Sequence, residues 1–245
     1  MSEPPPELKS SSIASPDSKD RLLARSRDLP ALLAVAEVAT QSLDIEKILH
    51  DTLDKSLEVL GFDLGFIRTL DRDNKNMLVR VARGLRSPGF LTGIAPIGGE
   101  RRNVSRIVFE TKEPYICTDI RKNPIYKNRS MEREGVISTA AAPVMSKNRV
   151  LGIIVVGSRR LHRFRKREIE LLVAFGSQLG AALENAELYQ DVAKSKAYIE
   201  NLVENAADLI ITTDLDDCIL TWNRGAEVLF GYRKDEVIGK HLSIL

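Results

Sequence analysis

From Phe164 to Ala206 the chain reads FRKREIELLVAFGSQLGAALENAELYQDVAKSKAYIENLVENA, with no proline and only two glycines, Gly176 and Gly180. Strong helix formers dominate it, so the whole stretch is expected to be one helix. About forty residues rising roughly 1.5 Å each span on the order of 60 Å. A helix that long outruns any small domain, so its two ends must serve different folded surroundings. Two apolar seams run along it. The first is Leu172, Phe175, Leu179, Ala182, Ala186, Tyr189, Ala193, in alternating steps of three and four. The second, Leu188, Val192, Ser195, Ile199, Leu202, Ala206, has the same rhythm. Each has the spacing of a coiled-coil seam. Where they overlap they are one position out of phase, which turns the apolar stripe by about 100°. Two readings follow. The first seam is domain core and the second a dimer seam, or the helix is a signalling element whose rotation links two folded units.

Composition limits what surrounds this helix. The chain has 245 residues, enough for one or two domains, and 43% hydrophobic with 29% charged residues, the profile of a globular protein. A net charge of +2 gives no electrostatic footprint for nucleic acid or a membrane surface. No apolar run approaches the roughly 20 residues that span a bilayer. The opening MSEPPPELKSSSIASPDSKD has no apolar signal-peptide core, so a cytosolic location is expected. The two cysteines, Cys117 and Cys218, lie too far apart in sequence to suggest a disulfide framework or an all-cysteine metal site.

Along the chain, residues 1–27 read as a disordered tail, rich in Pro, Ser and charge in its first part. LPALLAVAEVAT, from Leu29 to Thr40, has an apolar helical pattern. Asp44 is placed to N-cap the next helix, IEKILHDTLDKSLEVL, and Gly61 to end it. The period then changes to two. Asp63–Leu70 and Met77–Ala82 form a hairpin. Residues 86–96 read as loop, Asn103–Thr111 as a short helix, Pro114–Thr118 as a strand, and 119–131 as loop and short helices. Ser138–Met145 and Val150–Ser158 form a second hairpin about Lys147-Asn148. After the long helix, Asp208–Thr213 and Cys218–Trp222 form a third, followed by a helix N-capped by Asn223 and one more turn at Lys234–Ile238. Hairpin-connected strands between helices predict an α+β fold: a central antiparallel sheet with helices on both faces, the long exit helix, then an incomplete α+β segment. The predicted core includes Leu49, Leu53, Phe66, Val81, Ile116, Val144, Ile154 and Leu172. Two strands and two short helices cannot by themselves cover a sheet face, so the last segment is expected to be poorly buried.

Three stretches, FETKEPYICTDI, GVISTAAAPVMSKNRVLGIIVV and FRKREIELLVAFGSQLGAALENAELY, resemble a GAF domain, each on its expected element, and the resemblance covers residues 28–189. ENAADLIITTD, TWNRGAEVLFGY and DEVIGK resemble the opening strand, helix and turn of a PAS domain, the N-terminal part of which would occupy 206–245, with 190–205 as the connecting signalling helix. This order resembles the input region of bacterial sensor histidine kinases and related signalling proteins.

The resemblance implies a sensory or regulatory module of a signal-transduction protein, and it brings ligand candidates that the residues can be set against. GAF domains that bind cyclic nucleotides carry an NKxnFxxxDE pattern; here Lys147-Asn148 stand in reversed order, followed by Phe164 and Arg167-Glu168, with Arg in place of Asp. That departure argues against a cyclic nucleotide. Cys117 lies on a strand with no adjacent Cys-His pair, which argues against a bilin, and it is the one cysteine of the unit, which argues against the redox chemistry of the family's reductases. His50, His162 and His241 have no ligand spacing to one another, and haem is disfavoured. No phosphoacceptor H-E pattern and no Gly-rich ATP box are present, so the stretch is expected to regulate rather than catalyse. No catalytic or metal residues are assigned, and the cofactor is unknown.

The small residues Thr139-Ala140-Ala141-Ala142 on a central strand leave room for a ligand pocket, or for close helix packing. As a pocket, it would lie on the face covered by residues 86–136, walled by Phe66, Arg80, Tyr115, Ser138 and Ala140. Gly98, Gly99, Arg101 and Arg102 precede a helix N-terminus and suit an anion, or else a solvated loop and cap. Leu188, Val192, Ile199 and Leu202 are assigned to the dimer and signalling helix. The expected partners are a second copy, a small-molecule ligand, and a kinase or other output domain in a longer parent. The competing reading is a structural dimerisation module without a ligand.

Overall fold

The computed structural model describes residues 43–87, 90, 92–99, 103–126 and 129–245. The expected N-terminal tail and the helix over Leu29–Thr40 lie outside the described residues. The chain divides into two compact units, Met1–Asn185 and Ala186–Leu245.

In the first unit, α1 (Ile45–Leu60) begins where the Asp44 carboxylate accepts the Glu46 amide at 3.0 Å. It ends at Gly61, whose φ of 72° closes its N–H on the Leu57 carbonyl. Leu49, Leu53 and Leu57, four apart, bury one stripe of the helix. Six antiparallel strands follow: β1 (Leu64–Leu70), β2 (Asn76–Arg83), β3 (Ile94–Pro96), β4 (Tyr115–Cys117), β5 (Ser138–Ser146) and β6 (Arg149–Ser158). Their order in the sheet is β3-β2-β1-β6-β5-β4. Strand β3 falls in the segment read as loop, where a Gly/Pro-bearing run conceals three edge residues.

Between β3 and β4 lies α2 (Val104–Thr111), started by Asn103. Between β4 and β5 come two 3-10 turns, Ile120–Lys122 and Pro124–Tyr126, and α3 (Arg129–Arg133). These crossing elements close one face of the sheet, where Leu64, Phe66, Met77, Ile153 and Val155 meet Val108, Ile120, Tyr126 and Met131. Helix α4 (Lys166–Glu204) runs 39 residues without a break, and its N-terminal half lies on the opposite face. It packs closely there: a Cβ at Gly176 would stand 2.3 Å from the Pro143 carbonyl oxygen, and one at Gly180 2.0 Å from that of Met145. Those two carbonyls are two residues apart on β5, so they line the same edge of the pleat that the glycines, four apart, approach.

Leu49, Leu53, Phe66, Val81, Val144, Ile154 and Leu172 are buried as expected. Ile116 is not; it is 45% exposed. Strand β4 is the outer strand of the sheet and pairs on one side only, so its outward parity meets solvent.

In the second unit, β7 (Ile211–Thr213) and β8 (Ile219–Trp222) pair antiparallel. They are followed by α5 (Arg224–Phe230), α6 (Lys234–Val237) and a closing 3-10 turn. Ile219, Trp222, Ala226 and Val237 are all fully buried, a small core centred on the indole, whose Nε1 donates to the Tyr232 carbonyl at 3.0 Å. Leu215, Leu220, Val228 and Leu229 stay exposed, so the burial is real but partial. Asn223 is wholly buried and fully hydrogen-bonded. Its Oδ1 accepts from the amides of Ile210 and Ala226, and its Nδ2 donates to the carbonyls of Val203 and Asp208.

Candidate functional site

A cavity of about 70 Å³ lies under the crossing elements of the first unit. Strand alternation builds its floor. Phe66 and Arg68 of β1 share a face, and Ile153 and Val155 of β6 lie beside them in register. Val104 and Ser105 of α2, Ile125 and Tyr126 of the second 3-10 turn, Ser130 and Met131 of α3, and Phe90 complete the wall.

Arg68 is the one cation among the described lining residues. Its Nη1 donates to Ser105 Oγ at 3.1 Å, and its Cζ stands 4.9 Å from the centre of the Phe66 ring and 5.7 Å from that of Phe90. The two rings meet edge to face at 4.9 Å. Among the described residues no carboxylate lies within ion-pair distance of it, and its buried Nε has no hydrogen-bond partner. Ring faces return about 0.5–2 kcal/mol to a cation. Withdrawing a charge from water costs several kcal/mol. The rings therefore offset only part of the cost. Burial pushes the Arg68 pKa down to about 10, so the guanidinium remains charged at neutral pH. Gly93 passes beside it; a Cβ there would lie 2.9 Å from the Phe90 carbonyl oxygen and in ordinary contact, at 3.7 Å, with Nη2.

A second unpartnered atom belongs to the same wall: the buried Tyr126 Oη. The nearby Thr139 hydroxyl gives its own proton to the Val156 carbonyl at 3.1 Å. Burial pushes the phenol well above its ordinary value, so it stays a neutral donor. Glu134 fixes the segment that enters the site. Its carboxylate accepts the amides of Arg86, at 2.5 Å, and Ser87, at 2.8 Å, and the Ser87 hydroxyl. Burial raises its pKa, but those donors outweigh burial and hold it below the ordinary carboxylate value.

Of the expected pocket residues, Phe66 lines this cavity. Tyr115 stands behind it: its ring packs 6.3 Å from that of Tyr126 and its Oη accepts from Asn123 Nδ2 at 2.9 Å. Arg80 is elsewhere. Strict alternation from Ala82 would turn it inward, but Ile67 pairs with Val81 and Arg68 with Val79, which leaves Arg80 as the extra residue of a β-bulge. Its guanidinium pairs with Glu46 on α1 instead. Ser138 also serves structure: its hydroxyl donates to the Thr118 carbonyl at 2.5 Å and accepts the His162 amide at 2.8 Å. Ala140 alternates with Ala141 of the cavity-side core, so it faces the side that α4 covers. The residue that sequence reasoning missed is Arg68. The signal was present, since Leu64, Phe66 and Arg68 share a parity and only the last is charged.

At the other proposed anion site, Arg101 and Arg102 lie outside the described residues. The helix start beyond Gly98 and Gly99 is closed by the chain itself: the Asn103 side chain accepts the Arg106 amide, and Arg106 reaches back to the Gly99 carbonyl. The residues compared with the cyclic-nucleotide pattern also have structural work. Lys147 Nζ lies 3.3 Å from Glu184, the Asn148 carbonyl and side chain accept from Lys112, and Phe164 stacks with Phe62 and His162. Glu168 accepts the Arg165 amide at 2.8 Å and lies 3.0 Å from His162 Nε2. Cys117 is buried, and burial pushes its thiol up, away from the thiolate a bilin or redox site would use.

On α4 the second seam stands in solvent in this chain. Leu188, Val192, Ile199 and Leu202 are all more than half exposed, and the first three edge a shallow apolar groove with Ser195.

Residues 42–184 match the GAF domain family, and residues 197–245 match the PAS fold. Two-component system protein A of Emericella nidulans is 36% identical over 98 residues, which is 38% of this chain and 14% of that relative's length. The GAF domain of a phosphoenolpyruvate-protein phosphotransferase from Coxiella burnetii superposes with a TM-score of 0.58 at 20% identity, over 66% of this chain and 96% of that one. A domain assigned to a two-component sensor histidine kinase of Sinorhizobium meliloti gives 0.51 at 22% identity, over 61% and 97%. Free methionine-R-sulfoxide reductase from Neisseria meningitidis gives 0.56 at 16% identity, over 65% and 89%. At those identities the structures share the fold. No helix among the described residues is long and apolar enough to cross a membrane.

Proposed function

The chain belongs to the GAF domain family and continues into a PAS fold, and from that premise we propose that it is the cytosolic input region of a sensor histidine kinase, regulatory rather than catalytic. It binds a small molecule in the cavity beside Arg68 and passes the resulting change along α4 to an output domain of a longer parent. The observation that carries this reading is the unbroken course of α4 from Lys166 to Glu204, which begins in the GAF unit and ends at the PAS segment. A helix that serves two sensory folds at once is a mechanical connection, and a ligand with different affinity for two arrangements of its packing shifts their balance. The homodimer belongs to the same proposal. The exposed stripe Leu188, Val192, Ile199 and Leu202 has coiled-coil spacing, and a second copy offers it an identical stripe.

Native mass spectrometry of the purified chain, with an absorption spectrum, tests both parts. The expected result is a dimer carrying a colourless bound mass. A monomer at high micromolar concentration contradicts the dimer. A chain isolated without any bound mass, and unresponsive to a metabolite extract, favours the structural reading without a ligand.

A further inference from the structure

Resting on the reading of the cavity as the sensory site, we infer that its ligand is a short-chain monocarboxylate, held by Arg68 with its alkyl stub against Ile153, Val155 and Met131. Arg68 Nε, a donor, is buried in this wall and left without a partner. Since Nη1 already serves Ser105, the edge of the guanidinium that carries Nε is the one left without a partner. That edge presents two parallel N–H groups, the geometry that a carboxylate accepts with both oxygens.

Charge and size narrow the class. Among the described lining residues Arg68 carries the only positive charge, so one negative charge balances it and a phosphate dianion leaves one uncompensated. A cavity of about 70 Å³, at roughly 10–15 Å³ for each water-sized occupant, admits about five or six heavy atoms. That suits acetate, propionate or pyruvate, and no nucleotide or tetrapyrrole. On the remaining wall Ile153, Val155 and Met131 suit an alkyl group, beside the polar side chains of Asn103, Ser105 and Ser130.

The test titrates the full chain with sodium acetate, propionate, pyruvate and nitrate, and with acetamide and propionamide as neutral isosteres, against a chloride background of matched ionic strength. Calorimetry reads affinity, and the methyl resonances of Ile153, Val155 and Met131 read location. At least one carboxylate is expected to bind and move those methyls, with its amide at least about ten-fold weaker, the scale of a hydrogen bond to a charged group. Arg68→Met removes an unpaired buried charge while keeping the stem, and is expected to abolish carboxylate binding. Arg68→Lys keeps the positive charge but loses the paired N–H groups, and is expected to weaken it about ten-fold; it carries the test if Arg68→Met does not fold. An amide that binds as tightly as its carboxylate, nitrate bound in preference to every carboxylate, or a carboxylate affinity unchanged in both variants overturns the assignment while leaving the cavity a ligand site. Methyl signals that none of the six compounds moves overturn it as well. The sensory reading itself is then decided separately by the mass spectrum of the chain as isolated.

Discussion

Gly180→Ala separates two effects of opposite sign. Within a helix, alanine is favoured over glycine by about 1 kcal/mol, so propensity alone predicts a more stable protein. Gly180, however, sits where α4 rests on β5, and an added Cβ would lie 2.0 Å from the Met145 carbonyl oxygen and 2.8 Å from its amide nitrogen. Ordinary contact begins near 3.4 Å, so helix and strand must part by roughly 1.4 Å, and neither obstacle is a side chain that can rotate away. Overpacking of a dense core costs about 1–3 kcal/mol, and a clash with backbone belongs at the upper end. Subtracting the propensity gain leaves a net loss of about 2 kcal/mol, or roughly 4–8 °C in Tm for a chain of this size. Urea and thermal unfolding of the wild type, Gly180→Ala and Ser177→Ala provide the assay. Ser177 is an exposed position on the same turn of α4, where alanine should be neutral or slightly stabilising. A Gly180→Ala protein that melts at or above the wild-type temperature, with an unchanged urea slope, would refute the close approach of α4 to β5.

Ile154→Ala should cost about 2–4 kcal/mol, because the side chain is fully buried and its removal leaves a cavity; an unchanged melting curve would show the β6 register to be wrong. The Glu134 carboxyl is held below its ordinary 4.5 in the folded chain, so its contribution is fully present above that value and is lost as pH falls through the lower folded value. In Glu134→Gln that increment of acid sensitivity should vanish, and amide exchange at Arg86 and Ser87 should quicken at neutral pH; identical acid profiles would argue against the clamp. Leu202→Lys should shift the chain toward monomer in sedimentation velocity, whereas an unaltered coefficient would remove the seam from the interface. In a longer parent, one residue inserted between Leu188 and Ala193 should uncouple output and seven should preserve it, because seven restores the heptad phase; equal effects would make α4 a passive spacer.

What the sequence made legible followed local chemistry. Asp44, Asn103 and Asn223 stand just before helical patterns as short acceptors, and each caps its helix in the structure. The hairpins and the long helix were equally plain, because period and breakers are local properties. Non-local facts were hidden. Whether Ile116 is buried depends on which strand is outermost, and nothing in PYICT records that. Arg80 is expected on the pocket wall, but it is the extra residue of a bulge, and a one-residue bulge reverses parity without a composition signal. Arg68 shows the opposite case. Its inward parity was readable, yet a charge at a core position is noticed only once the partners it lacks can be counted.

Asn223 sets a limit on how much twist the last turn of α4 can deliver. The Val203 carbonyl that it grips lies 3.0 Å from its Nδ2, and the other three bonds of the same side chain fasten β7 and the start of α5. At the 2.3 Å radius of a helix, a turn of about 20° carries a backbone atom roughly 0.8 Å along its arc. Where that displacement runs along the bond, it stretches a 3.0 Å hydrogen bond past its useful range. Below that angle the side chain drags the strand with the helix, and beyond it the grip lets go. Under a rotation of α4, the joint would act as a torque limiter, stiff to small turns and slipping under large ones.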